Sequence, residues 1–173
     1  MLRALDHDGR EVWQQDLGAY VCEHGFGNSP MLYEDLVILV NSQQAEELLP
    51  NQKAGTSSVM AFDGETGKPR WETPRTAARA CYSTPCIYQP QDGPPELISY
   101  DTAHGFFSLN PRTGAENWSF RAFTMRTVAS PIIVGDLVFG GNGSGGGGNY
   151  LVAVRMGKQP QEVYRVTRQA PYV

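Results

Sequence analysis

Apolar residues in this chain come in short runs separated by turn residues, and almost none recurs at a helical period. The stretch from 131 to 166 shows the pattern best. Pro131-Ile132-Ile133-Val134 reads as a strand, Gly135-Asp136 as a two-residue turn with glycine first, and Leu137-Val138-Phe139 as a second strand. A flexible glycine-rich loop, Gly140–Gly148, then leads to Tyr150-Leu151-Val152-Ala153-Val154 and to Glu162-Val163-Tyr164-Arg165-Val166. Four short strands in about 45 residues predict one blade of a β-propeller. Only Gln43–Leu49 has the composition for a turn or two of helix.

The unit recurs. Ala4–Trp13, Ala61–Trp71 and Ser108–Trp118 align with one another, and Ala153–Tyr164 is a degenerate copy with Tyr in place of Trp. The aromatic positions are 58, 47 and 46 residues apart, and the polar insertion 41–57 accounts for the long first interval. A second marker, Ser29-Pro30, Thr84-Pro85 and Ser130-Pro131, keeps step with the first. It falls 41, 33 and 33 residues before the next aromatic. The turns between strands three and four need a left-handed residue, which Gly67 and Gly114 supply.

The Ala-x-Asp-x-x-Thr-Gly-x-x-x-Trp pattern resembles the tryptophan-docking repeat of the pyrroloquinoline-quinone-like (quinoprotein-like) β-propellers, over essentially the whole chain. The resemblance implies that Trp13, Trp71 and Trp118 wedge between neighbouring blades. It also implies that Asp6, Asp63 and the corners at Gly67 and Gly114 cap that junction. A large aromatic between two sheets buries much apolar area, and its N–H needs one fixed acceptor. The expected fold is all-β, a partial β-propeller of about three and a half four-stranded antiparallel blades. The expected units are a half blade at 1–18, blades at 19–75, 76–122 and 123–168, and the start of a next unit at 169–173. Propellers have about four to eight blades, and an open arc exposes strand edges. The arc is therefore expected to be a piece of a longer propeller or to close with a second copy of itself.

Composition narrows the setting. Hydrophobic residues at 40% and charged residues at 18% describe a folded chain. The net charge is -4 and the 14 basic residues are scattered among acids, which argues against a nucleic-acid surface. No apolar run approaches the roughly 20 residues of a membrane span. No signal peptide is visible after Met1. A periplasmic or extracellular location is what the resemblance implies. Cys22, Cys81 and Cys86 form no disulfide framework, and Cys81 and Cys86 are too far apart along an extended backbone to bridge.

In the resembled family the loops leading into strand one lie on one face near the axis. Here these loops carry His24, Asn28, Arg79, Tyr82 and Arg126, which are expected to converge on one funnel. Two arginines there suit an anionic ligand or a peptide carboxylate, or else pair with local acids. The glycine run lacks the Gly-Lys-Ser/Thr ending of a phosphate loop and opens no helix. His7 and His104 occupy turns. The sequons at Asn117 and Asn142 carry no weight. No catalytic residue, metal ligand set or cofactor is expected. The main reading is a non-catalytic binding or scaffold propeller with a protein or peptide partner. The alternative is a piece of a quinone- and calcium-dependent oxidoreductase whose catalytic residues lie on other blades.

Overall fold

A computed structural model describes residues 1–171, which form fourteen strands and no helix. β1 (Leu2–Leu5) and β2 (Glu11–Gln15) make a two-stranded sheet. Three four-stranded antiparallel meanders follow. The first is β3 (Met31–Tyr33), β4 (Leu36–Asn41), β5 (Ser57–Asp63) and β6 (Pro69–Arg75). The second is β7 (Cys86–Tyr88), β8 (Glu96–Asp101), β9 (Gly105–Leu109) and β10 (Glu116–Phe120). The third is β11 (Ile132–Val134), β12 (Leu137–Ser144), β13 (Gly147–Arg155) and β14 (Gln161–Val166). The expected start of a further unit at 169–173 lies partly outside the described residues.

Apolar side chains alternate across each sheet, so both faces of an inner sheet are buried against neighbours. Leu97, Phe107 and Leu109 face Leu36, Ile38, Val59 and Ala61 of the preceding sheet. Ile98, Tyr100 and Phe106 face Val138, Val152 and Val154 of the following one. The core is thus a row of interfaces between sheets.

Each interface carries a tryptophan on its outermost strand. A small residue stands opposite it in the ladder, Ala4 to Trp13, Ala61 to Trp71 and Ser108 to Trp118, and the register shifts immediately beside the pair. The small partner leaves room for the indole, and the bulge turns it out of the sheet. Trp13 Nε1 donates to the Gly64 carbonyl at 2.9 Å, and Trp71 Nε1 to the Pro111 carbonyl at 3.1 Å. Gly67 and Gly114 lie under these rings at φ +70° and +73°. A Cβ on Gly67 would stand 2.6 Å from the Trp13 ring, and one on Gly114 2.5 Å from Trp71. Glycine therefore meets two demands at once, a left-handed backbone and no side chain.

The same face of β6 continues the contact at every second residue. Thr73 Oγ1 donates to the Gly114 carbonyl at 2.6 Å. Arg75 pairs with Glu116 at 2.8 Å and lays its guanidinium 3.9 Å from the centre of the Phe107 ring. Trp118 differs because the following corner is degenerate. Its Nε1 donates to Glu96 Oε2 at 2.8 Å within its own sheet, and Met156 packs beside it in the core.

The Ser/Thr-Pro marker has a physical role as well. Ser29 N donates to Thr84 Oγ1 at 3.4 Å, and Thr84 N to Ser130 Oγ at 3.3 Å. Each hydroxyl thus accepts from the corresponding position of the preceding sheet, a relay across the short first strands.

Two local expectations are corrected. Residues 43–49 form no helical turn. Gln43 and Gln44 are buried, with Gln43 N bonded to Ser57 Oγ at 2.8 Å and Gln44 N to the Val21 carbonyl at 2.7 Å. Such bonds to distant groups outcompete a short helix, which is costly to nucleate. The glycine run is a loop only at Gly145-Gly146, because β12 extends to Ser144 and β13 begins at Gly147. Gly140 abuts the preceding sheet, where a Cβ would stand 2.8 Å from the Phe106 ring. The glycines let two sheets approach closely.

Gly114→Val is expected to destabilise the chain by about 2–4 kcal/mol, combining left-handed strain with displacement of Trp71, as read by urea unfolding. Asp63 accepts bonds from Thr66 Oγ1 at 2.7 Å and Thr66 N at 2.9 Å, and these hold its carboxyl below the ordinary value of 3.8. A depressed folded value stabilises above the unfolded pKa, and the benefit is lost as pH falls through the folded one. Asn at this position keeps the acceptor, as Asn110 does for Thr113 N at 3.1 Å. Asp63→Asn is therefore expected to unfold earlier than the parent at pH 7, the difference vanishing well below pH 4.

Candidate functional site

The loops that precede β3, β7 and β11 come together, as their common phase in the repeat requires. Tyr82 N donates to the Thr127 carbonyl at 3.0 Å, fastening one loop to the next, and Tyr100 OH of β8 holds the latter loop through the Ala129 carbonyl at 2.6 Å. Gly27 lies on the Tyr82 ring, where a Cβ would come within 2.5 Å of Cδ1. The Tyr82 hydroxyl meets Cys22 Sγ at 2.9 Å. Burial, with that bond to Cys22, raises the Tyr82 phenol above its ordinary range, so it stays protonated.

Four of the five candidate residues fall into two connected groups. Arg126 stands 5.8 Å from the centre of the Tyr82 ring and reaches Glu23 at 3.5 Å. His24 meets the same Glu23 oxygen at 3.6 Å. Arg79 forms an ion pair with Glu47. Arg79 and Arg126 then line one cleft of about 240 Å³, together with Glu47, Thr102, Thr124 and Ser144. Asn28 does not join them. It is buried and donates to the Ser83 carbonyl at 3.4 Å, a bond between neighbouring loops.

The two arginines are not equivalent. Arg79 is half exposed, and its hydrogen bond to Glu47 raises its pKa further. The Arg126 side chain is only 9% exposed, and its Nε has no hydrogen-bond partner among the described residues. A buried guanidinium N–H without a partner is costly, so Arg126 is held there by its packing on Tyr82 and its pairing with Glu23.

Glu23 and Glu47 were missed from the sequence as parts of this site. Glu47 belongs to the polar insertion, whose path no repeat dictates. His104 lies in the turn between β8 and β9, where its Nδ1 is 2.9 Å from buried Asp101. All three cysteines are free, and burial pushes the Cys86 thiol up to about 11. Asn142 is fully buried, which closes that sequon to modification.

A calcium-bound quinone needs carboxylates available to the cation. The acids of these loops are already engaged, Glu23 by Arg126 and His24 and Glu47 by Arg79. Among the described residues no group of three His, Cys, Asp or Glu is placed to hold a metal ion. The residues present do not fit that cofactor. No helix among them is long and apolar enough to cross a membrane.

Successive four-stranded sheets joined through docked indoles, with their first-strand loops gathered on one side, define an arc of a quinoprotein-like β-propeller. The chain belongs to the family described as outer membrane protein assembly factor BamB, whose profile matches residues 1–163. No curated protein matches it. Among solved structures, the crystal structure of BamB from Moraxella catarrhalis shares the fold at 17% identity, with a TM-score of 0.51. The match covers 91% of this chain and 40% of that one, so this chain spans 40% of the length of the structure it resembles.

Glu47→Ala is expected to release Arg79 and tighten the binding of inorganic phosphate about two- to fivefold, as measured by NMR titration, in line with the modest strength of an exposed ion pair.

Proposed function

We propose that this chain is a binding and scaffold element of a propeller, whose axial loops hold an extended segment of a partner protein. The observation that carries the reading is the cleft between Arg79 and Arg126. It is open, of mixed polarity, and lined also by Thr102, Thr124 and Ser144. Both arginines already have carboxylate partners, so a free small anion gains little there. A peptide brings backbone carbonyls and an acidic side chain together, and these can exchange with Glu47 on Arg79 without leaving its guanidinium bare.

The rigid frame favours the same reading. The cleft is fixed by bonds between loops and by the indole joints behind them, so binding orders little that is not already ordered. Membership of a family described by outer membrane protein assembly supports a protein ligand and a periplasmic setting. No observation favours the oxidoreductase alternative.

Peptide-display selection on the immobilised chain tests the proposal. Extended peptides with an acidic residue are expected to be enriched, and their affinity to fall at least tenfold in Arg79→Ala/Arg126→Ala. Equal enrichment on the double variant would contradict the proposal. So would dye-linked oxidation of an alcohol or aldose in the presence of pyrroloquinoline quinone and calcium.

A further inference from the structure

The interface between the first two meanders changes character along its length. Leu36, Ile38, Val59 and Ala61 pack on Leu97, Phe107 and Leu109. Beyond them, where β6 passes into the loop toward β7, the lining turns polar. Ser42, Ser57 and Arg75 stand on one side, Asp101 on the other, and Ser83 comes from the loop.

The next interface fills the same level differently. Counted from the residue opposite each tryptophan, Tyr100 and Phe106 hold in the second meander the ladder position that Val40 and Val59 hold in the first. The Tyr100 and Phe106 rings are 5.2 Å apart, and both pack on Phe123. Two valines leave space that those rings would take. Between the first two meanders, beside Val40, lies a cavity of about 10 Å³. That is room for about one water molecule.

The polar groups around it are short of partners. The Arg75 side chain is only 6% exposed and gives Nη1 to Glu116, but its Nε and Nη2 have no partner among the described residues. The Ser83 hydroxyl, fully buried, has none either. Donors left in that condition bear the full cost of their desolvation. Asp101 is buried and accepts from His104 N at 2.6 Å, and a carboxylate has lone pairs for further donors.

We propose that this cavity is the site of one permanently bound water molecule. It accepts from the Arg75 guanidinium and the Ser83 hydroxyl and donates to the Asp101 carboxylate, about the three bonds usual for a buried water. Water is favoured over a small anion because it both accepts and donates. An anion would serve Arg75 and Ser83 but would stand against the Asp101 carboxylate. Through Ser83 the water also ties down the loop that carries Tyr82, on which Arg126 packs.

A crystal structure of the 173-residue chain grown with bromide tests this, together with a count of long-lived waters in solution by water-oxygen magnetic relaxation dispersion. The expected result is a single peak without anomalous signal, within hydrogen-bond distance of Arg75 Nε or Nη2 and of an Asp101 oxygen. The solution count is expected to fall by about one in folded Arg75→Leu. Bromide at that place overturns the proposal and makes it an anion site. No peak there, Arg75 Nε and Nη2 bonded directly to protein acceptors, or an unchanged count in folded Arg75→Leu overturns it equally. The parent crystal decides the matter even where Arg75→Leu does not fold.

Discussion

Two joints of this arc depend on an indole lying where a Cβ atom cannot be. Trp13 and Trp71 rest on Gly67 and Gly114, and their N–H groups reach a backbone carbonyl of the same corner. The corner is usable only because its last residue accepts a positive φ. The indole is usable only because a small residue stands opposite it and a bulge aims it outward. Burying an aromatic of this size stabilises by about 3–5 kcal/mol, comparable with the whole stability margin of many domains.

The joint between the second and third meanders shows what happens when one component is lost. Met156 stands where Gly64 and Pro111 stand in the other corners, and Gly157 has nothing within 4 Å of a Cβ position. The indole of Trp118 stays buried at 6% exposure, but its N–H turns to Glu96. Glu96 also accepts from Ser108 Oγ at 2.5 Å, so a carboxylate shared by two donors replaces the missing carbonyl. Apolar burial is kept by Met156, and the polar requirement is met from within the sheet. The two demands of a buried tryptophan are separable.

Repetition decided what could be read from the sequence. The strand order, the docking residues and the gathering of the axial loops were legible because each recurs in phase, and a repeated residue type reports a repeated physical need. Single events were not. Glu96 substitutes for a corner that occurs once, and Glu47 sits in an insertion that has no counterpart. The glycine run looked like a loop because composition alone cannot distinguish flexibility from close approach, and Gly140 serves the second. The convergence of Arg79 and Arg126 on one cleft was legible from the phase of their loops, whereas their pairing with acids depends on side chains from elsewhere in the chain. Asn28 shared the phase but faces a neighbouring loop, since side chains on one loop need not point the same way.

Native-state hydrogen exchange of the indole N–H groups of Trp13, Trp71 and Trp118, followed by NMR, tests the dependence of the arc on its joints most directly. The account predicts that the Trp71 and Trp118 indoles exchange as slowly as the most protected amides of β5, β9 and β13, because the joints open only when the sheets come apart. Fast exchange of the Trp71 indole while those amides stay protected would contradict it, and would place the stability of the arc inside the individual sheets.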